Sequence, residues 1–324
     1  VCRVRFSDGG TLRVPSGYVG GLACDPIEKK PFFHAYPGED ALSFGMLGCD
    51  LRCSYCQNWV TSQALRDEQA VAGVQGISAA QLGDLAIRYD APVVASTYNE
   101  PLITSEWAVE VLKVAKSKGL TGAYISNGNA TRQVLEYIRP YVQLYKVDLK
   151  SFRDRDYRAL GGQLDNVKRT IRQLHEMGFW LEVVTLVVPG LNDSPGELRE
   201  MADFLVNISP DIPWHVTAFH SDYKMTDNGN TKVDRIVEAA EIGSAAGLRY
   251  VYAGNRPGGV GEWEDTRCPS CGESVIKRRG FVIESNTLRN GRCPACDHPI
   301  PGFWSKDCLI PQENAGPAFT ETSA

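Results

Sequence analysis

Three cysteines fall within one short stretch, "GMLGCDLRCSYCQNW", at Cys49, Cys53 and Cys56. Three thiolates on one loop can hold three irons of a [4Fe–4S] cube and leave the fourth iron without a protein ligand, open to a small molecule. Zinc on the same loop would need a fourth protein ligand or, in a catalytic site, a water. A redox CxxC pair accounts for Cys53 and Cys56 but gives Cys49 no role. Chance clustering without metal is the remaining reading, and the loop's position just after a strand-like run weighs against it.

A second group lies near the C-terminus, "CPSCG" (268–272) and "CPAC" (293–296). Cys268, Cys271, Cys293 and Cys296 form two x2 pairs, spaced just beyond the usual zinc-ribbon interval. Four thiolates in a tetrahedron make a closed structural Zn2+ site, although four thiolates also suit an iron–sulfur cluster. Proline at the second position stiffens each knuckle, and Gly272 permits a left-handed backbone that frees amides to bond the sulfurs. The run "KRRG" (277–280) between the pairs is expected on an exposed, solvated hairpin. Cys2, Cys24 and Cys308 are scattered and receive no role. Tight x2 and x3 spacings without a secretory leader point to metal binding in a reducing compartment, so a cytoplasmic location is expected.

These loops need a frame. Strand-like runs at 41–46, 92–97, 121–126, 143–148, 180–188, 214–219 and 248–253 alternate with amphipathic stretches such as 78–90, 105–119 and 166–178. In the second of these, Ala108, Val111, Leu112 and Ala115 recur on one helical face, with Ser105 as the expected N-cap and Gly119 as the stop. Repeated βα units call for a parallel sheet with helical crossovers. Six units and a final strand fit a partial (β/α)6 TIM-like barrel. The expected organisation is a strand and loop segment at 1–40, the barrel at 41–259, a zinc-ribbon-like segment at 260–310 and a flexible tail at 311–324. The chain begins at Val1 partway into a β-like pattern, so further residues upstream are expected.

Composition agrees with a globular protein: 43% hydrophobic and 23% charged residues in 324, with a net charge of -5. No apolar run reaches the ~18 residues of a membrane helix. The acidic balance and the lack of a clustered basic stripe count against an RNA-binding or RNA-modifying protein built on the zinc ribbon, the alternative from another class.

Polar residues recur where such a barrel carries its chemistry, after the strands. "TYNEP" (97–101) offers Asn99 and Glu100, although acids also favour helix starts for electrostatic reasons alone. "SNG" (126–128) offers Ser126 and Asn127, which a plain turn would explain as well. In "KVDLK" (146–150), Asp148 and Lys150 alternate onto one face. Charges ending an apolar strand are costly unless paired or used. His215 and His220 lie on and after the sixth run, and Asp222, Tyr223 and Lys224 follow.

"CDLRCSYC" resembles the CxxxCxxC signature of the radical S-adenosylmethionine (SAM) superfamily, with aromatic Tyr55 before the last cysteine. The resemblance implies a [4Fe–4S] cluster on Cys49, Cys53 and Cys56 whose open iron binds SAM. It implies reductive cleavage of SAM to a 5′-deoxyadenosyl radical that abstracts hydrogen from a protein or peptide substrate. It implies SAM contacts from Tyr55, Asn99, Glu100, Ser126, Asn127, Asp148, Lys150 and His220, and a flavodoxin- or ferredoxin-type reductant. Read in order, "DPIEKKPFFHAYPG", "CQNW", "TYNEP", "VDLKSF", "PWHVTAFHSDYKM" and "VYAGN" resemble the radical SAM enzyme of the AmmeMemoRadiSam system, a relative of the pyruvate formate-lyase-activating enzymes. Memo-like and AMMECR-like partners are then implied, with glycyl-radical-enzyme activation as the runner-up reaction. Members of that family carry a cysteine-containing segment ahead of the "CRVR" stretch, which leaves Cys2 without a complete ligand set here.

Overall fold

The computed structural model describes residues 2–227 and 229–314. Its centre is one sheet of eight strands: β1 (Gly21–Pro26), β2 (Asp40–Gly45), β3 (Val93–Ser96), β4 (Thr121–Ser126), β5 (Leu144–Asp148), β6 (Trp180–Val187), β7 (Trp214–Ala218) and β8 (Val251–Gly254), hydrogen-bonded in chain order. Strands β2 to β8 are parallel, and β1 returns antiparallel along β2. Both faces of a parallel sheet are buried, which is why the interior strands read as continuous Val, Leu and Ala runs. Helices Ala79–Arg88 (α1), Ser105–Ser117 (α2), Arg132–Ile138 (α3), Asp154–Leu160 (α4), Leu164–Glu176 (α5), Pro195–Val206 (α6) and Val233–Ala246 (α7) form the outer layer.

Each helix buries the stripe its spacing prescribes. In α2, Ala108, Val111, Leu112 and Ala115 are all fully buried. Its start differs from the expectation: Ser105 is the first helical residue, and its hydroxyl donates to Pro101 O (3.3 Å) and Leu102 O (3.1 Å) rather than capping the turn. A short 3-10 turn, Pro101–Thr104, precedes it, and Glu100 caps that turn by accepting from Leu102 N (3.0 Å).

Two further departures concern the ends of the barrel. Within residues 1–40, Gly21–Pro26 belongs to the barrel sheet, since β1 pairs with β2 along its whole length. The run after β1 plugs the barrel floor. Ile27, Phe32, Ala35 and Tyr36 pack on Val93, Ala123, Leu144 and Trp180. The carboxylate of Glu182, fully buried on β6, accepts from Phe33 N (2.9 Å), His34 N (2.9 Å) and Trp180 Nε1 (3.0 Å), so the plug is hydrogen-bonded as well as packed.

The cysteine-rich C-terminal segment forms strands Ser274–Arg279 (β9) and Val282–Asn286 (β10), joined by a tight turn in which Gly280 has φ +63°. It shares a core with the barrel floor, where Phe33, Tyr250 and Tyr252 meet Cys268, Val275, Ile276 and Ile300. Arg278 is not the solvated residue expected of "KRRG". It is buried, donates to Phe33 O and Thr266 Oγ1 (2.7 Å each), and lies 4.3 Å over the Phe33 ring. Part of the tail is ordered too: Gln312 Nε2 donates to Leu181 O (2.7 Å) and Glu313 N to Asp211 Oδ2 (3.0 Å). The remainder of the expected tail, 315–324, lies outside the described residues. No helix among the described residues is long and apolar enough to cross a membrane.

Candidate active site and four-cysteine site

The three-cysteine loop leaves the end of β2 through two glycines that cannot be replaced freely. A Cβ on Gly45 would sit 2.3 Å from Thr97 O, and Gly48 has φ +91° with Val4 Cγ2 2.3 Å from where its Cβ would be. Beyond them the loop carries little regular structure of its own, so other elements hold it. Arg66 donates to Cys49 O (2.5 Å) and Leu51 O (2.8 Å), Arg52 N donates to Leu160 O (2.7 Å), and Lys224 N donates to Ser54 O (2.9 Å). Leu51 and Tyr55 are buried against Leu160, Val188 and Phe219. Ser62 Oγ lies 3.2 Å from Cys56 Sγ.

Cys49, Cys53 and Cys56 line one cavity of about 650 Å³ that runs into the barrel from the C-terminal ends of the strands. That volume suits a small-molecule ligand. Tyr55, Asn99, Glu100, Ser126, Asn127, Asp148 and Lys150 line the same cavity. Burial pushes all three thiols up, Cys53 to about 11, and Lys150 opposes that rise at Cys53. Metal bound there would favour the thiolate forms that burial disfavours.

Glu100 is buried beside this loop. Its carboxylate accepts from Ser126 Oγ (2.7 Å), Asn127 N (2.7 Å) and Leu102 N, and burial followed by the nearby Asp50 raises its pKa to about 8. Ser126 and Asn127 thus serve Glu100 directly. Asn99 Oδ1 accepts from Met46 N (3.1 Å) and ties the loop after β3 to the end of β2. Asp148 accepts from Lys146 Nζ (2.5 Å) and Lys150 Nζ (3.2 Å), and these two cations hold its carboxyl down at about 2 despite burial.

Other residues fall elsewhere than expected or were not foreseen. His220 is exposed and does not line the cavity. Strand alternation gives the reason: His215 and Thr217 face inward on β7, so Phe219 continues the inner face and His220 turns outward. Asp222, Tyr223 and Lys224 do not line the cavity either. Tyr223 stacks on Trp59 (5.1 Å), and its hydroxyl donates to Asp67 (2.6 Å), which also pairs with Lys224 (2.7 Å), strapping the loop from outside. Asp50 was missed. Its two oxygens accept from Asn127 Nδ2 (2.7 Å) and Asn129 Nδ2 (2.8 Å), joining the cysteine loop to the loop after β4. Lys146 was missed as well, although it continues the inward alternation of Asp148 and Lys150 by one step.

The C-terminal cysteines make a different kind of site. All four sulfurs lie within 4.8 Å of one another, with Cys268–Cys296 and Cys271–Cys293 at 3.6 Å. A tetrahedron with Zn–S of about 2.3 Å has edges of about 3.8 Å, so the donor set fits one ion. Gly272 at φ +78° and Asp297 at φ +58° turn the two knuckles. The amide of His298 bonds Cys296 Sγ and lowers that thiol to about 7.

Residues 45–205 match the profile of the Radical SAM superfamily. The chain is 34% identical over 303 residues to "Uncharacterized protein MJ0808" of Methanocaldococcus jannaschii, covering 92% of this chain and 89% of that protein. It is 24% identical over 198 residues to a pyruvate formate-lyase-activating enzyme of Clostridium pasteurianum, covering 56% of this chain and 80% of the relative. Among solved structures, SuiB of Streptococcus suis superposes with a TM-score of 0.52 at 14% identity, over 70% of this chain and 51% of that one, a likeness of fold.

Proposed function

The chain belongs to the radical SAM superfamily, whose enzymes use a [4Fe–4S] cluster and SAM, and from that premise we propose that it cleaves SAM reductively to abstract hydrogen from a protein or peptide substrate. One observation carries this reading: Cys49, Cys53 and Cys56, Glu100 and the Asp148–Lys150 pair open onto a single cavity at the C-terminal ends of the strands. When bound, the cluster and SAM supply the electron transfer and the 5′-deoxyadenosyl radical. Cys49, Cys53 and Cys56 would hold the cluster. Glu100, fixed by Ser126 and Asn127, would accept from the SAM amino group. Asp148 would accept from the ribose hydroxyls, and Lys150 would hold the methionine carboxylate. Asn99 and Tyr55 would complete the wall.

Glycyl-radical activation stands as the second reading, favoured by the likeness to pyruvate formate-lyase-activating enzymes. The ordered motifs from "DPIEKKPFFHAYPG" to "VYAGN" favour the AmmeMemoRadiSam system enzyme instead, with Memo-like and AMMECR-like proteins as partners and a flavodoxin or ferredoxin as reductant. Holoenzyme, SAM and reductant should form 5′-deoxyadenosine faster with the Memo-like or AMMECR-like protein present. Stimulation only by a glycyl-radical enzyme, with a glycyl doublet in its paramagnetic resonance spectrum, would select the second reading. For the four-cysteine site we propose structural Zn2+, to be checked by one zinc per chain and its loss on replacing Cys271 and Cys296.

A further inference from the structure

We propose that the slot between the two edges of the barrel sheet takes an extended peptide segment, held by strand addition to β1 through the backbone groups of Leu22 and Cys24. The peptide residue beside Ala23 would then turn its side chain into the cavity. The proposal rests on the radical SAM reading and names how the peptide substrate of that same cavity is held.

The sheet does not close on itself. β1 and β8 are its two edges, and Ala23 and Asp25 of the first line the same cavity as Ala253 and Gly254 of the second. Exposure reflects the edge position: residues 21–25 are all partly exposed and Pro26 is exposed, whereas β3, between two neighbours, is wholly buried. Proline fixes which backbone groups of β1 are free. Pro26 stands opposite Asp40 and has no N–H, so that pair is not a hydrogen-bonded one. Alternation then turns the backbone groups of Asp25 and Ala23 toward β2, and Ile27 N donating to Glu39 O (2.9 Å) agrees with this phase. The N–H and C=O of Leu22 and Cys24 point the other way, along the open edge. Among the described residues they make no backbone hydrogen bond to another segment.

Donors and acceptors at strand spacing are matched by another extended backbone, the recognition used in strand addition. Leu22 and Cys24 each offer one N–H and one C=O to such a partner. Side chains at facing positions in a sheet share a face, so the residue beside Ala23 points inward and its two neighbours outward. The small side chain of Ala23 leaves room there. Ile125, Val184 and Leu186 line the same cavity, which suits an aliphatic side chain on the inward residue. The far rim carries Pro257 and Phe281, the latter 39% exposed, an apolar surface for the segment to cross. An open edge can also pair with the same edge of a second copy, and the test separates the two occupants.

The test is hydrogen–deuterium exchange, resolved to single amides, on SAM-loaded holoenzyme. The probe is a capped heptapeptide of six threonines around a central valine. At about ten times the probe's Kd, exchange at Leu22 and Cys24 should slow about tenfold, as the bound fraction dictates. The same peptide N-methylated at every residue has no donors and should leave both amides unprotected. Cys24→Pro removes an outward N–H and spares the bonds to β2. It should abolish protection at Leu22 while 5′-deoxyadenosine formation without peptide stays unchanged, and Cys24→Ser should behave as the wild type. No protection by the probe, or equal protection by the methylated peptide, would overturn the proposal. So would protection without probe that grows with protein concentration, the mark of a second copy. These comparisons on the unmutated protein decide the matter even if Cys24→Pro fails to fold. Product formed with dithionite by a sample that shows no protection means that strand addition alone fails; protection without product means that the radical SAM reading fails.

Discussion

At the scale of single residues, Glu100 has a testable electrostatic signature. Its folded pKa of about 8 lies above the unfolded value of about 4.3, so the folded protein holds the proton more tightly. The stability this contributes is fully present below the unfolded pKa and is lost as pH rises through about 8. Buried His34, lowered to about 4 chiefly by burial, has the opposite slope, but only up to its unfolded value near 6.5. Between pH 6.5 and 8 the melting temperature of metal-loaded, SAM-free protein should therefore fall, and Glu100→Gln should flatten that fall. An unaltered slope would assign the titration to another group. Glu100, Asp148 and Lys150 could be picked out from sequence because short motifs place them at strand ends. Lys146 was equally accessible, since inward positions recur every second residue through 146, 148 and 150. His220 was misplaced for the complementary reason, as the same alternation counted from His215 puts position 220 outside. Asp50 and Arg66 had no local signal. Their partners, Asn127 and Asn129 for Asp50 and the carbonyls of Cys49 and Leu51 for Arg66, are identified only by the tertiary path of the chain.

At the scale of elements, the parallel strands and their helices were legible because apolar runs and helical periodicity alternate cleanly. The antiparallel edge strand β1 was not. It sits half-buried in a Gly- and Pro-rich region, so neither strict alternation nor a continuous apolar run marks it. The seating of the ribbon was equally hidden, because Arg278 and Phe33 lie 245 residues apart. That seating carries a prediction. A chain of hydrogen bonds runs from Arg278 through Thr266, Tyr252 and His34 to Pro301 O. Arg278 Nε also lies 4.0 Å from fully buried Glu28. Arg278→Met should cost about 3 kcal/mol in denaturant unfolding, because it strands a buried carboxylate. Lys277→Met, one residue away and exposed, should stay within about 0.5 kcal/mol. Similar losses for both would mean that the ribbon, not this contact, sets the stability.

At the scale of the whole molecule, the two cysteine groups lie apart. The four-cysteine segment shares its core with the barrel floor, at the opposite end of the strands from the three-cysteine loop. Chelating zinc from holoenzyme should therefore lower the melting temperature more than it slows SAM cleavage at low temperature. Equal loss of both would make the second site part of the chemistry. The central claim is that the loop holds a cluster with one iron left for SAM. Anaerobic reconstitution should give about four irons and four sulfides per chain, beyond the zinc, in keeping with a [4Fe–4S] cube. The most direct measurement is 5′-deoxyadenosine formation from SAM and dithionite by the reconstituted protein, compared with a triple variant, Cys49→Ala, Cys53→Ala and Cys56→Ala, that keeps its zinc. The wild type should form the product and the triple variant none; product from the triple variant would contradict the assignment.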